Sequence, residues 1–150
     1  TLILAGAMFS VVQLAGVGGV LLSGPLSDRL GRKWVLSGAT LGAAILMLCF
    51  INASGWVVFP LLLGMGFLAL STTPVMLAMV QEQFPKNRAV ANGVFMSIVF
   101  VLRPLGTLAI GALGDRYGLQ TAFLWGALVS VLSLPAILLL PNTQAVPNER

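Results

Sequence analysis

From Trp34 to Gln81 the chain carries no charged residue, and from Thr1 to Ser27 it carries none either. A helix needs about 20 consecutive apolar residues to cross the hydrocarbon of a bilayer. The first charge-free stretch is therefore about two spans long and the second about one. Charged residues make up 8% of the sequence and hydrophobic residues 58%, against roughly 25% charged in a soluble domain. A chain of this composition is solvated by lipid, and the informative residues are its few polar ones.

The composition also excludes classes of chemistry. The sequence holds no His and one Cys, Cys49. A Ser–His–Asp triad, a Cys–His pair, a zinc cluster and a disulfide within the chain are all ruled out. No nucleophile–base pair is apparent, and neither an enzyme nor a cofactor is expected. The net charge of +4 comes from eight Lys/Arg and four Asp/Glu dispersed between apolar runs, which makes no basic patch for nucleic acid.

Polar punctuation divides the chain into five spans, at about residues 1–27, 34–51, 56–81, 89–114 and 119–140, with a polar tail at 141–150. The turn between the second and third is Asn52-Ala53-Ser54-Gly55. Five spans put alternate loops on opposite sides. One side receives Arg29, Arg32, Lys33, Lys86, Arg88 and Arg150, while the other receives only Arg116. Short loops rich in Lys and Arg stay cytoplasmic, so the C-terminus is expected inside and the N-terminus outside. An outside N-terminus without a basic leader suggests a piece of a longer protein.

Two segments repeat. Gly24-Pro25-Leu26-Ser27-Asp28-Arg29-Leu30-Gly31 and Gly111-Ala112-Leu113-Gly114-Asp115-Arg116-Tyr117-Gly118 both read G-x-L-x-D-R-x-G. Three spans separate them, so they fall on opposite membrane faces, as in the inverted-topology repeats of secondary transporters. Gly31 and Gly118 permit a sharp turn. Gly24 is expected to allow close approach of a neighbouring helix, and Asp28 to accept hydrogen bonds from an adjacent helix N-terminus. Arg29, Arg32 and Lys33 meet water and anionic lipid at the interface.

The string Gly24 to Lys33 resembles the signature loop of the major facilitator superfamily, which joins the second and third helices of each six-helix half. Glu82, Pro85, Arg88, Ala91 and Gly93 resemble the family's E-x-x-P-x-x-R-x-x-A-x-G pattern, and Arg103 to Gly118 with Phe123 resembles its external corner. The resemblance implies an all-α membrane protein: five helices, eight to twelve, of a twelve-helix fold with inverted three-helix repeats. Helix seven and the N-terminal half would then be a missing partner of this chain. It further implies a secondary transporter of small molecules in a bacterial inner membrane. A loose likeness to drug-efflux and fosmidomycin-resistance-type members points toward efflux. The rival reading is a sensor or scaffold that kept the fold without transporting.

Within the spans, Arg103 stands alone as a charge near the middle of its helix, roughly 20 Å from either end. It shares a face with Asn92, Met96 and Thr107. At that depth it must face protein or a watery cavity. It is a candidate for an anionic substrate or a gating carboxylate; the alternative is a structural partner of buried carbonyls or of an acid on the missing half. Pro104 is expected to kink the helix. Ser71, Thr72, Thr73 and Pro74 form a second candidate, whose hydroxyls can satisfy the carbonyl freed by Pro74 or a ligand; packing around a kink is the alternative. Met65, Met76 and Met79 could form an adaptable apolar wall beside them. Gln13 is a weaker candidate. Gly16, Gly18 and Gly19 read as a close-packing surface toward either the other half or this one. No span carries an interior Asp or Glu, so the acid relay of an antiporter would lie elsewhere.

Overall fold

The computed structural model describes residues 2–140; the side chains of residues 2–5 are not included, and the expected polar tail at 141–150 lies outside the described residues. The elements are α1 (Leu2–Leu30), α2 (Arg32–Ile51), a single 3-10 turn at Gly55–Val57, α3 (Val58–Gln83), α4 (Arg88–Tyr117), α5 (Leu119–Leu132) and α6 (Leu134–Leu139). Among the described residues five helical stretches are long and apolar enough to cross a membrane, α5 and α6 together forming the fifth.

The helices run further than the charge-free stretches. α1 has 29 residues and α4 has 30, about 45 Å at the α-helical rise, against a hydrocarbon core of about 30 Å. Their ends therefore project into the headgroup layer, where charged side chains are at ease. Asp28 and Arg29 complete α1, and Asp115 and Arg116 complete α4. What reads in the sequence as a charged loop from Asp28 to Lys33 is reduced to one non-helical residue, Gly31. Arg29 and Arg116 both occupy the last turn of their helix, where a cation offsets the negative end of the helix dipole.

The two corners are built alike. Gly31 has φ 90° and ψ 134°, and Gly118 has φ 88° and ψ 153°, a region that only glycine enters without strain. Gly31 N donates to Ser27 O at 3.0 Å, and Gly118 N to Gly114 O at 2.9 Å. The carbonyls of both glycines then accept the first bond of the next helix, from Val35 N and Ala122 N, each at 3.2 Å. The repeat seen in the residues is thus a repeat of backbone geometry.

Lipid supplies no hydrophobic force between helices, so association depends on close contact. The most extensive contact joins α1 to α3. A Cβ at Gly16 would run into Leu70, one at Gly19 into the Phe67 carbonyl, and one at Gly66 into the Val12 carbonyl. Gly16 and Gly19 therefore serve packing within this chain. Gly18 lies to the side, where a Cβ would stand 3.9 Å from the Phe67 ring. Among the described residues no neighbour approaches Gly24: a Cβ there would meet nothing within 4 Å, and the same holds at Gly111. α2 lies against α3 through Leu36, Val75 and Met79, with Val35 and Ile137 at the margin. α2 meets α5 through Phe50 and Phe123, whose rings pack edge to face at 5.5 Å. Met79 is buried while Met76 is exposed, so the methionines of α3 do not form one wall.

The fifth span is interrupted only locally at Ser133, where the ladder still holds, Ser133 N donating to Val129 O at 3.0 Å. Pro135 stands in the first turn of α6 and has no N–H to continue the ladder to Val131. Ser133 softens the interruption, its Oγ donating to Ser130 O at 2.7 Å. The helices instead run without interruption through Pro25, Pro74 and Pro104. Leu140 turns to an extended ψ of 140°, as a residue before proline should.

The glycine contact yields a prediction. In the full-length protein, Gly19→Ala should lower the thermal unfolding midpoint in detergent, by an overpacking cost of about 1–3 kcal/mol. Gly38→Ala, at a site where the added methyl meets nothing within 4 Å, should leave it unchanged or raise it. Equal midpoints for the two variants would contradict the assigned contact.

Candidate functional site

The charged corner between α1 and α2 is joined to the end of α3. Arg32, in the first turn of α2, forms an ion pair with Glu82, its Nη2 standing 2.6 Å from Oε1, and donates from Nη2 to Asp28 Oδ1 at 3.3 Å. The Arg32 side chain is 15% exposed and that of Glu82 18%, whereas Asp28 is 61% exposed. The Arg32–Glu82 pair is therefore the strong part of the cluster, and Asp28 an i,i+4 partner at its wet edge. Arg32 Nη1 and Glu82 Oε2 are buried without a hydrogen-bond partner. A buried ion pair left partly unsatisfied adds little net stability, so the fold holds this pair more than the pair holds the fold.

Glu82 stands out in the sequence only as part of a motif, and nothing there places it in the corner. The signal is faint, since fifty positions separate it from Arg32. The expectation for Asp28 is also revised. Its hydrogen bond comes from Arg32, not from a helix N-terminus, and α4 begins after Asn87 with no side-chain cap. At the second corner, Asp115 and Arg116 are exposed. Among the described residues neither forms an ion pair. The position matching Arg32 is Leu119, which removes the cation that ties the first corner together.

Arg103 lies midway along α4, exposed, and forms no ion pair among the described residues. Its carbonyl accepts a bond from Thr107 Oγ1 at 3.1 Å. No residue of α4 is fully buried: it touches α3 and α5 and is bare from Phe100 to Ala109. Gln13 is likewise exposed on α1.

Around Pro74 the hydroxyls of Ser71 and Thr72 are already engaged. Ser71 Oγ donates to Leu68 O at 2.8 Å and Thr72 Oγ1 to Ala69 O at 2.9 Å. The carbonyl freed by Pro74 is that of Leu70, one turn back, and neither hydroxyl reaches it. Ser71 is buried and lines a groove between α1, α2 and α3, with a volume of about 300 Å³. Thr72 faces a different groove, of about 420 Å³, with Thr40, Met76 and Ser133. Ser71 and Thr72 therefore open onto different surfaces.

Comparison with known proteins agrees with this architecture. The family profile of the Major Facilitator Superfamily matches residues 1–150. The chain belongs to that superfamily. It is 31% identical over 134 residues to an uncharacterized MFS-type transporter, YfnC, of Bacillus subtilis, covering 89% of this chain and 32% of that protein. It is 28% identical to the fosmidomycin resistance protein of Escherichia coli, covering 83% and 30%. It is 34% identical to the multidrug resistance protein MdtG of Citrobacter koseri, covering 79% and 30%. The chain thus spans about a third of the length of these curated relatives. No solved structure matches it significantly. Membership places the five helices in a membrane-embedded superfamily member with the twelve-helix fold.

A double-mutant cycle tests the corner. Arg32→Ala leaves Glu82 largely buried without its cation, and should destabilise the full-length protein by about 1–3 kcal/mol, allowing for the residual exposure. Adding Glu82→Ala should recover part of that loss. Strictly additive losses in thermal midpoint would show that the two residues do not interact.

Proposed function

We propose that the protein carrying this chain is a secondary transporter that moves small molecules across a bacterial inner membrane by alternating access, in the direction of efflux. The observation that carries the proposal is the pair of matching Asp-Arg-x-Gly corners, three membrane crossings apart. Two copies of one helix–turn–helix unit in opposite orientations can exchange roles when a bundle opens first to one side and then to the other. The names of two relatives, a fosmidomycin resistance protein and a multidrug resistance protein, support efflux of drug-like molecules.

In this reading the Asp28–Arg32–Glu82 corner closes the cytoplasmic side. Gly24, Arg29, Gly31 and Lys33 shape and anchor it. The corner of Gly111, Asp115, Arg116 and Gly118 serves the external side with fewer charges. The positive-inside distribution of Lys and Arg sets the C-terminus in the cytoplasm. The remainder of the transporter completes the substrate cavity, and the isolated chain does not transport.

Arg103 borders the pathway. A guanidinium at that depth faces protein or water rather than lipid, and a pathway for small molecules supplies the water. It attracts an anionic substrate or a carboxylate that closes the pathway. Gln13, exposed on α1, is a second polar candidate for the pathway. Ser71 and Thr72 serve the helix around Pro74, their hydroxyls donating to its backbone, and Thr73 is a further hydroxyl beside them.

Transport assays in inverted vesicles containing the full-length protein, with ethidium and fosmidomycin as probes, test the role of Arg103. Arg103→Ala should reduce flux about tenfold or more, in keeping with the loss of a desolvated charge contact worth over ~1.4 kcal/mol. Arg103→Lys should retain part of it. Wild-type flux in both variants would remove Arg103 from the mechanism.

A further inference from the structure

A groove of about 300 Å³ runs between α1 and α2 over a floor supplied partly by α3. One end lies at Gly19 and Phe67, the other at Leu30 and Trp34 beside the Gly31 corner. From Leu30 to Gly19 α1 rises about 16 Å, half of a hydrocarbon core about 30 Å thick. The groove therefore has the depth of one leaflet.

Three features define what fills it. The first is polarity. Ser23 and Ser71 line the groove but are buried, and their hydroxyls donate to Val20 O at 3.1 Å and Leu68 O at 2.8 Å within their own helices. With those donors spent, and with Leu22, Leu26 and Leu30 exposed along the rim, the surface suits hydrocarbon. The second is room. Gly38 lines the groove, and a Cβ there would meet nothing within 4 Å. A glycine inside a helix costs about 1 kcal/mol relative to alanine, and no contact among the described residues requires this one. The third is shape. α1 and α2 are joined through the single non-helical residue Gly31, so they converge toward that end. A further helix, about 10–12 Å across, cannot follow the groove to the corner, whereas one extended chain can.

The charges at the mouth define the rest of the occupant. Arg29 and Lys33 flank Leu30 and Trp34 in the sequence, and among the described residues neither forms an ion pair. The acids of the corner, Asp28 and Glu82, are both held by Arg32. Two cations are thus left over at the level of the headgroups. Trp34 is 69% exposed and stands close to the turn, a Cβ on Gly31 lying 3.7 Å from its Cδ1. An indole there suits the boundary between acyl chains and headgroups.

We propose that this groove binds a phospholipid with an anionic headgroup, drawn from the leaflet that meets the Gly31 corner. One acyl chain lies between α1 and α2 over Gly38, and the phosphate meets Arg29 and Lys33. The site depends on the fold and on the charges of the corner, and stands whether or not the protein transports.

Tryptophan quenching in the full-length protein tests it. Trp34 is kept as the only tryptophan, the protein is placed in phosphatidylcholine vesicles, and phosphatidylglycerol or phosphatidylcholine with brominated acyl chains is titrated in. The anionic lipid should reach half-quenching at a mole fraction about fivefold lower, or less, than the neutral one. With Trp125, exposed on α5, as the only tryptophan, the two lipids should quench alike. Gly38→Phe, which fills the groove, should remove the preference at Trp34, and so should Arg29→Gln combined with Lys33→Gln. Gly38→Leu serves as a smaller filling should the phenylalanine variant not fold. Equal quenching by the two lipids at Trp34, or the same preference at Trp125, would overturn the proposal. So would a preference that survives the filled groove, since headgroup attraction alone would then explain it.

Discussion

The structure depends on backbone-to-backbone contact between α1 and α3 at Gly16, Gly19 and Gly66. In water a helix pair this apolar would associate by burying surface. In lipid that drive is absent, because the tails are as apolar as the side chains. What remains is dispersion over a close fit and the satisfaction of polar groups. Glycines supply the fit by removing the side chains that would hold the helix axes apart. Once α1 and α3 are locked, α2 settles over α3 through Leu36, Val75 and Met79, and the corner at Gly31 is drawn beside the end of α3, where Arg32 reaches Glu82. The ion pair is thus a consequence of the glycine contact.

Around α1, α2 and α3 the described residues are tied by packing and by the Arg32 cluster. α4 is tied only toward its two ends, and its middle third, with Arg103, is bare. Both corners share a backbone conformation, but the cation that ties the first to a neighbour is replaced by Leu119 in the second. Two ends with one geometry and unequal strength suit a device whose two sides open in turn. Arg32 Nη1 and Glu82 Oε2 remain without a hydrogen-bond partner, so the pair is only partly satisfied.

Much of the fold was legible because lipid imposes a simple rule on the sequence: a span must be apolar, long and uncharged. The Asp-Arg-x-Gly corners were legible because a tight turn between two helices needs glycine at one fixed position. What was hidden depended on contacts distant in sequence. Nothing local to Glu82 says that Arg32 is its partner, and nothing local to Gly24 says that its face is open while those of Gly16 and Gly19 are closed. The local interruption at Ser133 was hidden because hydropathy counts Pro135 as one residue in an apolar run, whereas the helix counts it as a missing donor. Around Pro74 the residue types were read correctly as hydroxyl donors, but the carbonyls they choose, Leu68 and Ala69 rather than Leu70, are set by rotamer.

The central claim is that the chain crosses the membrane an odd number of times between its two corners, so that one motif is presented to both sides. Side-specific thiol labelling of single-cysteine variants tests this most directly. In a Cys49→Ser background of the full-length protein, Lys86→Cys, beside the Arg32–Glu82 corner, should react with a membrane-impermeant maleimide only in inverted vesicles. Arg116→Cys, at the second corner, should react only in intact cells. Labelling of both positions from the same side would contradict the inverted repeat, and with it the account of how this chain is built.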